Sequence, residues 1–222
     1  MRAAEKRALV ELSAALACGD TDLLRRAMEG CLAATPADGT EEVILQSYLF
    51  LGYPAALNAF GLWREVSGMD APEAVPEAWD EWSDRGSEVC RTVYGGQYEG
   101  LRRNVRALHP DMERWMVVEG YGKVLGRPGL CLQVRELCIA ALLAVLGAPR
   151  QLHSHLRGAL NAGAEVDEVE EALEVAESFM AAQGRARARV VWDRVKGRWL
   201  EGFDPNAGKS EVADEEGSSS AS

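Results

Sequence analysis

Histidine and cysteine are the side chains best suited to chemistry near neutral pH, and this sequence holds three of the first and five of the second. His153 and His155 stand two residues apart, so on a helix they project about 200° from one another and cannot share a metal ion. His109 precedes Pro110 and marks the end of a helix. With these histidines and no C-x-x-C anywhere, a zinc centre is not expected. Cys18, Cys31, Cys90, Cys131 and Cys138 are odd in number and scattered, which fits reduced thiols. Disulfide exchange needs a low-pKa attacking thiolate with a resolving partner nearby. Cys131 and Cys138 are seven residues apart, and only Cys138 lies well inside an expected helix.

Glu136 sits among Leu137, Ile139 and Ala140, which argues for partial burial. A buried carboxylate requires a partner or a raised pKa, and Arg135 could supply a salt bridge. Arg135 and Arg127 equally suit a substrate carboxylate, held by paired N–H donors. Arg157 reads as solvated. Tyr98 and Tyr121 are candidates for the aromatic wall of a site, with core packing the simpler role. The run from Asp167 to Glu177 sets its acids opposite a stripe of Val169, Leu173, Val175, Ala176 and Phe179, so it reads as a solvated helix face.

The elements that must position these residues are helices. Ala, Leu, Glu and Arg dominate the periodic segments, and alternating β-branched runs are missing. Helices are expected over 3–18, 21–34 (capped by Thr21 or Asp20), 40–51 and 55–67, with Gly52-Tyr53-Pro54 as a break. A second series is expected over 87–94, 98–108, 112–125, 133–146, 150–162, 167–182 and 185–200. Between them, residues 69–84 hold Pro72, Pro76 and several acids and read as an arm or linker, whose Trp79 and Trp82 should dock on something. Residues 204–222 are Gly, Ser, Asp and Glu rich and are expected to be disordered.

The formal net charge of −11 argues against nucleic acid as a partner, because phosphates would be repelled. No run approaches the roughly 18 apolar residues of a membrane span, and Met1–Glu11 lacks a signal-peptide core. A cytoplasmic protein without membrane contact is expected.

Two passages share an order of features. In each, Glu-Leu opens an Ala/Leu-rich helix, Glu11-Leu12 or Glu136-Leu137, and a second helix ends in Gly-x-Leu-x-Ala, with Gly30 matching Gly158. An acidic start then opens a third helix, Glu42-Val43 or Glu168-Val169. Two pseudo-symmetric helical repeats in one chain are expected, the apolar face of each covered by its twin.

The segment from Arg127 to Ala176 resembles the carboxymuconolactone decarboxylase family, which includes the alkylhydroperoxidase (AhpD) branch. The matching elements are Arg135-Glu136-Leu137, then Leu152-x-x-His155-Leu156-x-x-Ala159-Leu160-x-Ala162-Gly163, then Glu168. With the lead-in at Arg85–Gly100 and Gly120–Leu130, the resemblance covers about Arg85 to Ala182, and the first repeat matches weakly. It implies an all-α, AhpD-like helical bundle that assembles as a homo-oligomer, with a trimer of two-unit chains making a six-unit ring. The domain reading is therefore a degenerate repeat over 1–68, the arm 69–84, the family-like domain 85–203 and the tail 204–222.

Carried over by position, the family's glutamate falls on Glu136 and its histidine on His155, and its two cysteine positions fall near Ala148 and Gln151, neither a thiol. Ala27 stands where a second His155 would be, so the first repeat should lack a site. The resemblance implies a cofactor-independent enzyme acting on a small carboxylated, lactone-like substrate. His155, held by Glu136, would relay a proton, and Arg127 or Arg135 would orient carboxylates. A thiol-dependent antioxidant protein of the same superfamily and a non-catalytic helical scaffold are the alternatives.

Overall fold

The computed structural model describes residues 1–74 and 76–202 of the chain, so the expected disordered tail lies outside the described residues. Helices and the turns between them make up the fold, with no strand among the described residues. In order these are α1 (Ala3–Cys18), α2 (Thr21–Ala34), α3 (Ala37–Ser67), α4 (Trp79–Tyr94), α5 (Tyr98–Leu108), α6 (Pro110–Trp115), a π-helical stretch (Met116–Leu125), α7 (Leu132–Leu146), α8 (Pro149–Asn161), α9 (Val166–Glu177) and α10 (Ala182–Leu200). The all-α architecture is as the sequence implied.

Local chemistry explains most boundaries. The Asp20 carboxylate accepts hydrogen bonds from the Asp22 and Leu23 amides and so caps α2. The third helix begins at Ala37, three residues before its expected start at 40, because Pro36 leads the chain in from an extended conformation. Gly52 breaks α3 as expected, with φ 80 and ψ 165, a conformation that no residue with a Cβ adopts easily. By length and hydropathy α3, 31 residues long with an 18-residue window of mean hydropathy 1.2, could cross a membrane, contrary to the expectation that no segment comes close. Here it packs in the bundle, burying Thr40, Val43, Ile44, Gln46 and Ser47 before the break.

At the centre lies α7. Every residue from Val134 to Ala144 is buried, charged Arg135 and Glu136 included, and α1, α8 and α9 pack around it. Each fully buried Leu or Ile here contributes about 1.5–3 kcal/mol of transfer free energy. The two series meet where α1 crosses α7, and there the Ser13 hydroxyl donates to the Cys138 carbonyl at 2.7 Å. Ion pairs span the same seam: Lys6 of α1 with Glu168 of α9, and Arg135 of α7 with Glu42 of α3.

α4 opens at Trp79, so residues 79–84 of the expected arm are helical. Trp82 does dock: its indole donates to Glu77 at 2.7 Å, and Lys123 lies over its ring, 5.1 Å from the centroid. Trp79 stays exposed, with Arg114 5.9 Å from its ring centroid. Where α4 meets the π-helical stretch, the two backbones touch. A Cβ on Gly122 would fall 1.9 Å from the Trp82 carbonyl oxygen, and one on Gly86 would fall 2.1 Å from that of Val117. Ten consecutive π-helical residues are rare, and such stretches concentrate at functional sites.

Candidate functional site

α7 and α8 form a hairpin closed by Gly147, whose φ of 74 permits the tight reversal. The hairpin brings Glu136 and His155 together. His155 Nδ1 lies 2.8 Å from Glu136 Oε2, with Glu136 fully buried and His155 6% exposed. An ionised carboxylate only accepts, so Nδ1–H donates to it and Nε2 remains for other work. Glu136 Oε1 is buried without a hydrogen-bond partner among the described residues, an arrangement that costs stability. Phe50 of α3 meets the imidazole edge-on, its centroid 5.6 Å away.

Two tyrosines share this compartment. Tyr121, on the π-helical stretch, donates its hydroxyl to that of Tyr94 at the end of α4, at 3.0 Å. Burial pushes both phenols well above their ordinary pKa, and the charge of Glu136 adds to the effect. Cys90 is raised to about 12, by burial first, with Glu136 again contributing. Tyr121 was legible as a candidate. Tyr94, Phe50 and Cys90 were not, although Tyr94 directly precedes the Gly95-Gly96 stop.

The remaining expected residues are placed elsewhere. Arg135 is fully buried and its donors are taken: Nη2 by Glu42 at 2.7 Å, Nη1 by the Gln46 side chain and Nε by the Leu130 carbonyl. Arg127 pairs with the same Glu42 at 3.2 Å. Arg135 is thus committed to Glu42, because a guanidinium desolvated this far must find its carboxylate within the fold, while Arg127 shares that carboxylate through Nε with its side chain still 29% exposed. Tyr98 is buried between the Arg91 and Arg102 guanidiniums and accepts a hydrogen bond from Arg102 at 3.2 Å, a packing role.

At the positions where the alkylhydroperoxidase branch carries its thiols, Ala148 precedes α8 and Gln151 lies exposed on it. Burial raises the Cys31 thiol to about 12 and that of Cys138 further, so neither offers a thiolate near neutrality. Among the described residues no three His, Cys, Asp or Glu side chains gather as metal ligands. A hollow of about 490 Å³ opens beside Ala148 and Leu152, and one of about 320 Å³ has Tyr94 in its wall. Neither Glu136 nor His155 lines either of them.

Residues 110–192 match the carboxymuconolactone decarboxylase family. That span holds Tyr121, Glu136, His155 and Gly158, but not Phe50, Cys90 or Tyr94. A curated relative, Peroxisomal protein 2 of Schizosaccharomyces pombe, is 28% identical over 144 residues, which is 61% of this chain. The match spans 65% of that relative's length. Through residues 110–192, 83 of its 222 residues, the chain is therefore similar to the carboxymuconolactone decarboxylase family.

Proposed function

We propose that the Glu136–His155 pair is a general acid–base device in a cofactor-independent enzyme acting on a small carboxylated, lactone-like substrate. The observation that carries this reading is the 2.8 Å contact between a fully buried carboxylate and an imidazole, with the second carboxylate oxygen left without a partner among the described residues. Glu136 fixes the His155 tautomer, so Nε2 is the atom that takes up and returns the proton. In such a decarboxylation the electron pair of the breaking C–C bond passes into an enolate delocalised over the lactone carbonyl, and CO2 leaves. The proton on His155 is then transferred to the enolate carbon. Buried, protonated Tyr94, whose oxygen accepts from Tyr121, keeps its own proton free to donate a hydrogen bond to developing negative charge.

The test is turnover of a small carboxylactone, followed as CO2 release together with solvent deuterium entering the product carbon. Wild-type protein should show both, and His155→Asn and Glu136→Gln should each lower the rate by about a hundredfold or more. A variant of either residue that keeps the full rate would sink the reading.

The proposal extends to architecture and assembly. Glu42 and Glu168, matched in the two repeats, each pair with a cation in the other half of the chain, Arg135 and Lys6 respectively. This reciprocity supports two related units facing one another across α1 and α7. Exposed Tyr53 and Leu57 on α3 support burial of that helix between copies in a homo-oligomer, a trimer being the favoured form. Sedimentation of the full chain tests this, and a monomer at micromolar concentration would dismiss it.

A further inference from the structure

Where α7 ends and α10 begins, the bundle does not close. The α7–α8 turn, the α9–α10 turn and the first half of α10 surround a cavity of about 490 Å³, within the size range of small-molecule sites. Its apolar walls include Leu143, Leu152, Phe179, Met180 and Val191. One charged side chain lines it, Arg187, and no acidic one does. Water in so apolar a hollow finds few hydrogen-bond partners, so an apolar group displaces it favourably.

Two residues keep the hollow open and adaptable. Gly184 is the third residue of α10, where glycine weakens a helix relative to alanine. A Cβ there would lie 3.4 Å from the Met180 terminal methyl, so the missing side chain leaves Met180 its room. Met180 is unbranched, with a polarizable thioether, and can repack around ligands of different shape.

Arg187 sets the sign of the ligand. Other cations on α10 are matched: Arg189 with the Glu177 carboxylate, and Lys196 with Glu170 at 2.7 Å. Arg187 has no ion pair or hydrogen bond among the described residues, in a chain with 35 acidic residues against 24 basic ones. α8 and α10 also start at the cavity edge, after Ala148 and Ala181, so the positive ends of both helices add to the guanidinium. One cation beside a deep apolar wall suits a monoanion with a slender tail, and the net charge of −11 works against a polyanion. We propose that this cavity binds a medium-chain aliphatic carboxylate, its tail among Leu152, Phe179 and Met180 and its head on Arg187. Glu136 and His155 do not line the cavity, so the site stands independently of the acid–base reading.

Titration calorimetry on the full chain tests the proposal, with butyrate, hexanoate and octanoate as probes and octan-1-ol and octylammonium as controls for charge. Octanoate should saturate one site per chain, and affinity should rise about fourfold per added CH2 from butyrate to octanoate. Octan-1-ol should bind about tenfold more weakly than octanoate, and octylammonium more weakly still. Arg187→Gln, at an exposed position, should weaken octanoate by about tenfold and leave octan-1-ol and the melting temperature unchanged. Gly184→Leu sets a side chain against Met180 and should abolish binding, while melting no lower than wild type because leucine favours a helix over glycine. His155→Asn should bind octanoate normally, which separates failure of this site from failure of the catalytic one. Absence of saturable octanoate binding, wild-type affinity in Arg187→Gln or Gly184→Leu, or octan-1-ol binding as tightly as octanoate would overturn the proposal. So would self-association that Val191→Glu abolishes in a protein that binds no octanoate, which would assign the hollow to a second copy.

Discussion

Gly158 passes so close to Glu136 that a Cβ placed on it would lie 2.5 Å from Oε2, the oxygen that holds His155, and 2.8 Å from the Val93 side chain. The residue is a glycine because the carboxylate occupies the space a side chain would need. Gly158→Ala should displace Glu136 and cost about 1–3 kcal/mol, the usual range for overpacking a core. Urea unfolding measures the loss, and an alanine variant as stable as wild type would show that the pair has room to move. Turnover of a carboxylactone should fall with it.

Arg135 should behave as a structural residue. It is fully buried against Glu42, and removing one partner of such a pair leaves the other uncompensated, at a cost of about 3–5 kcal/mol. Arg135→Met is expected to lose stability of that order in chemical denaturation. Protein of this variant that remains folded should keep its KM for substrate, whereas a residue that gripped the substrate carboxylate would raise it.

Acid should weaken the junction of α5 and α6. Burial alone would raise the Glu113 pKa, but Arg102 and Arg106 outweigh it and hold the carboxyl below its usual range. A folded-state pKa below the unfolded value means the unfolded chain binds the proton more readily. The stabilisation is therefore fully present above about pH 4.3, the ordinary glutamate value, and is lost as pH falls through the depressed folded value. Glu113→Gln should flatten the acid limb of a stability-versus-pH curve measured by urea midpoint, and an unchanged limb would contradict the assignment.

The cysteines should divide by burial. Cys131 is exposed, while burial raises Cys31 and Cys90 to about 12 and Cys138 higher still. Iodoacetamide at pH 8, read by peptide mass spectrometry, should label Cys131 in native protein well before these three, and all five only after unfolding. Rapid native labelling of Cys138 would return thiol chemistry to consideration.

What was legible in the sequence was local. Periodicity and stop residues placed the helices, and Gly52 marked the break in α3, because those signals act within a few residues. Glu136 and His155 were found because the family resemblance carried a glutamate and a histidine onto those positions, which one hairpin brings together. The chain could not reveal that Glu42 claims Arg127 and Arg135, 85 and 93 residues further on, since nothing local distinguishes a committed arginine from an available one. Phe50 was equally hidden, meeting His155 across 105 residues of sequence. Trp79 was assigned to a linker because two prolines upstream and a run of acids masked the start of α4.

The glycine crossing of α4 with the π-helical stretch has a consequence for Tyr94 and Tyr121. Each phenol is carried on one of two main chains that rest directly against each other, with no side chain between to yield or rotate. Their spacing is therefore a property of the peptide framework. Sliding of α4 along the π-helical stretch is blocked at Gly86 and Gly122, which limits how far the two phenols can be drawn apart.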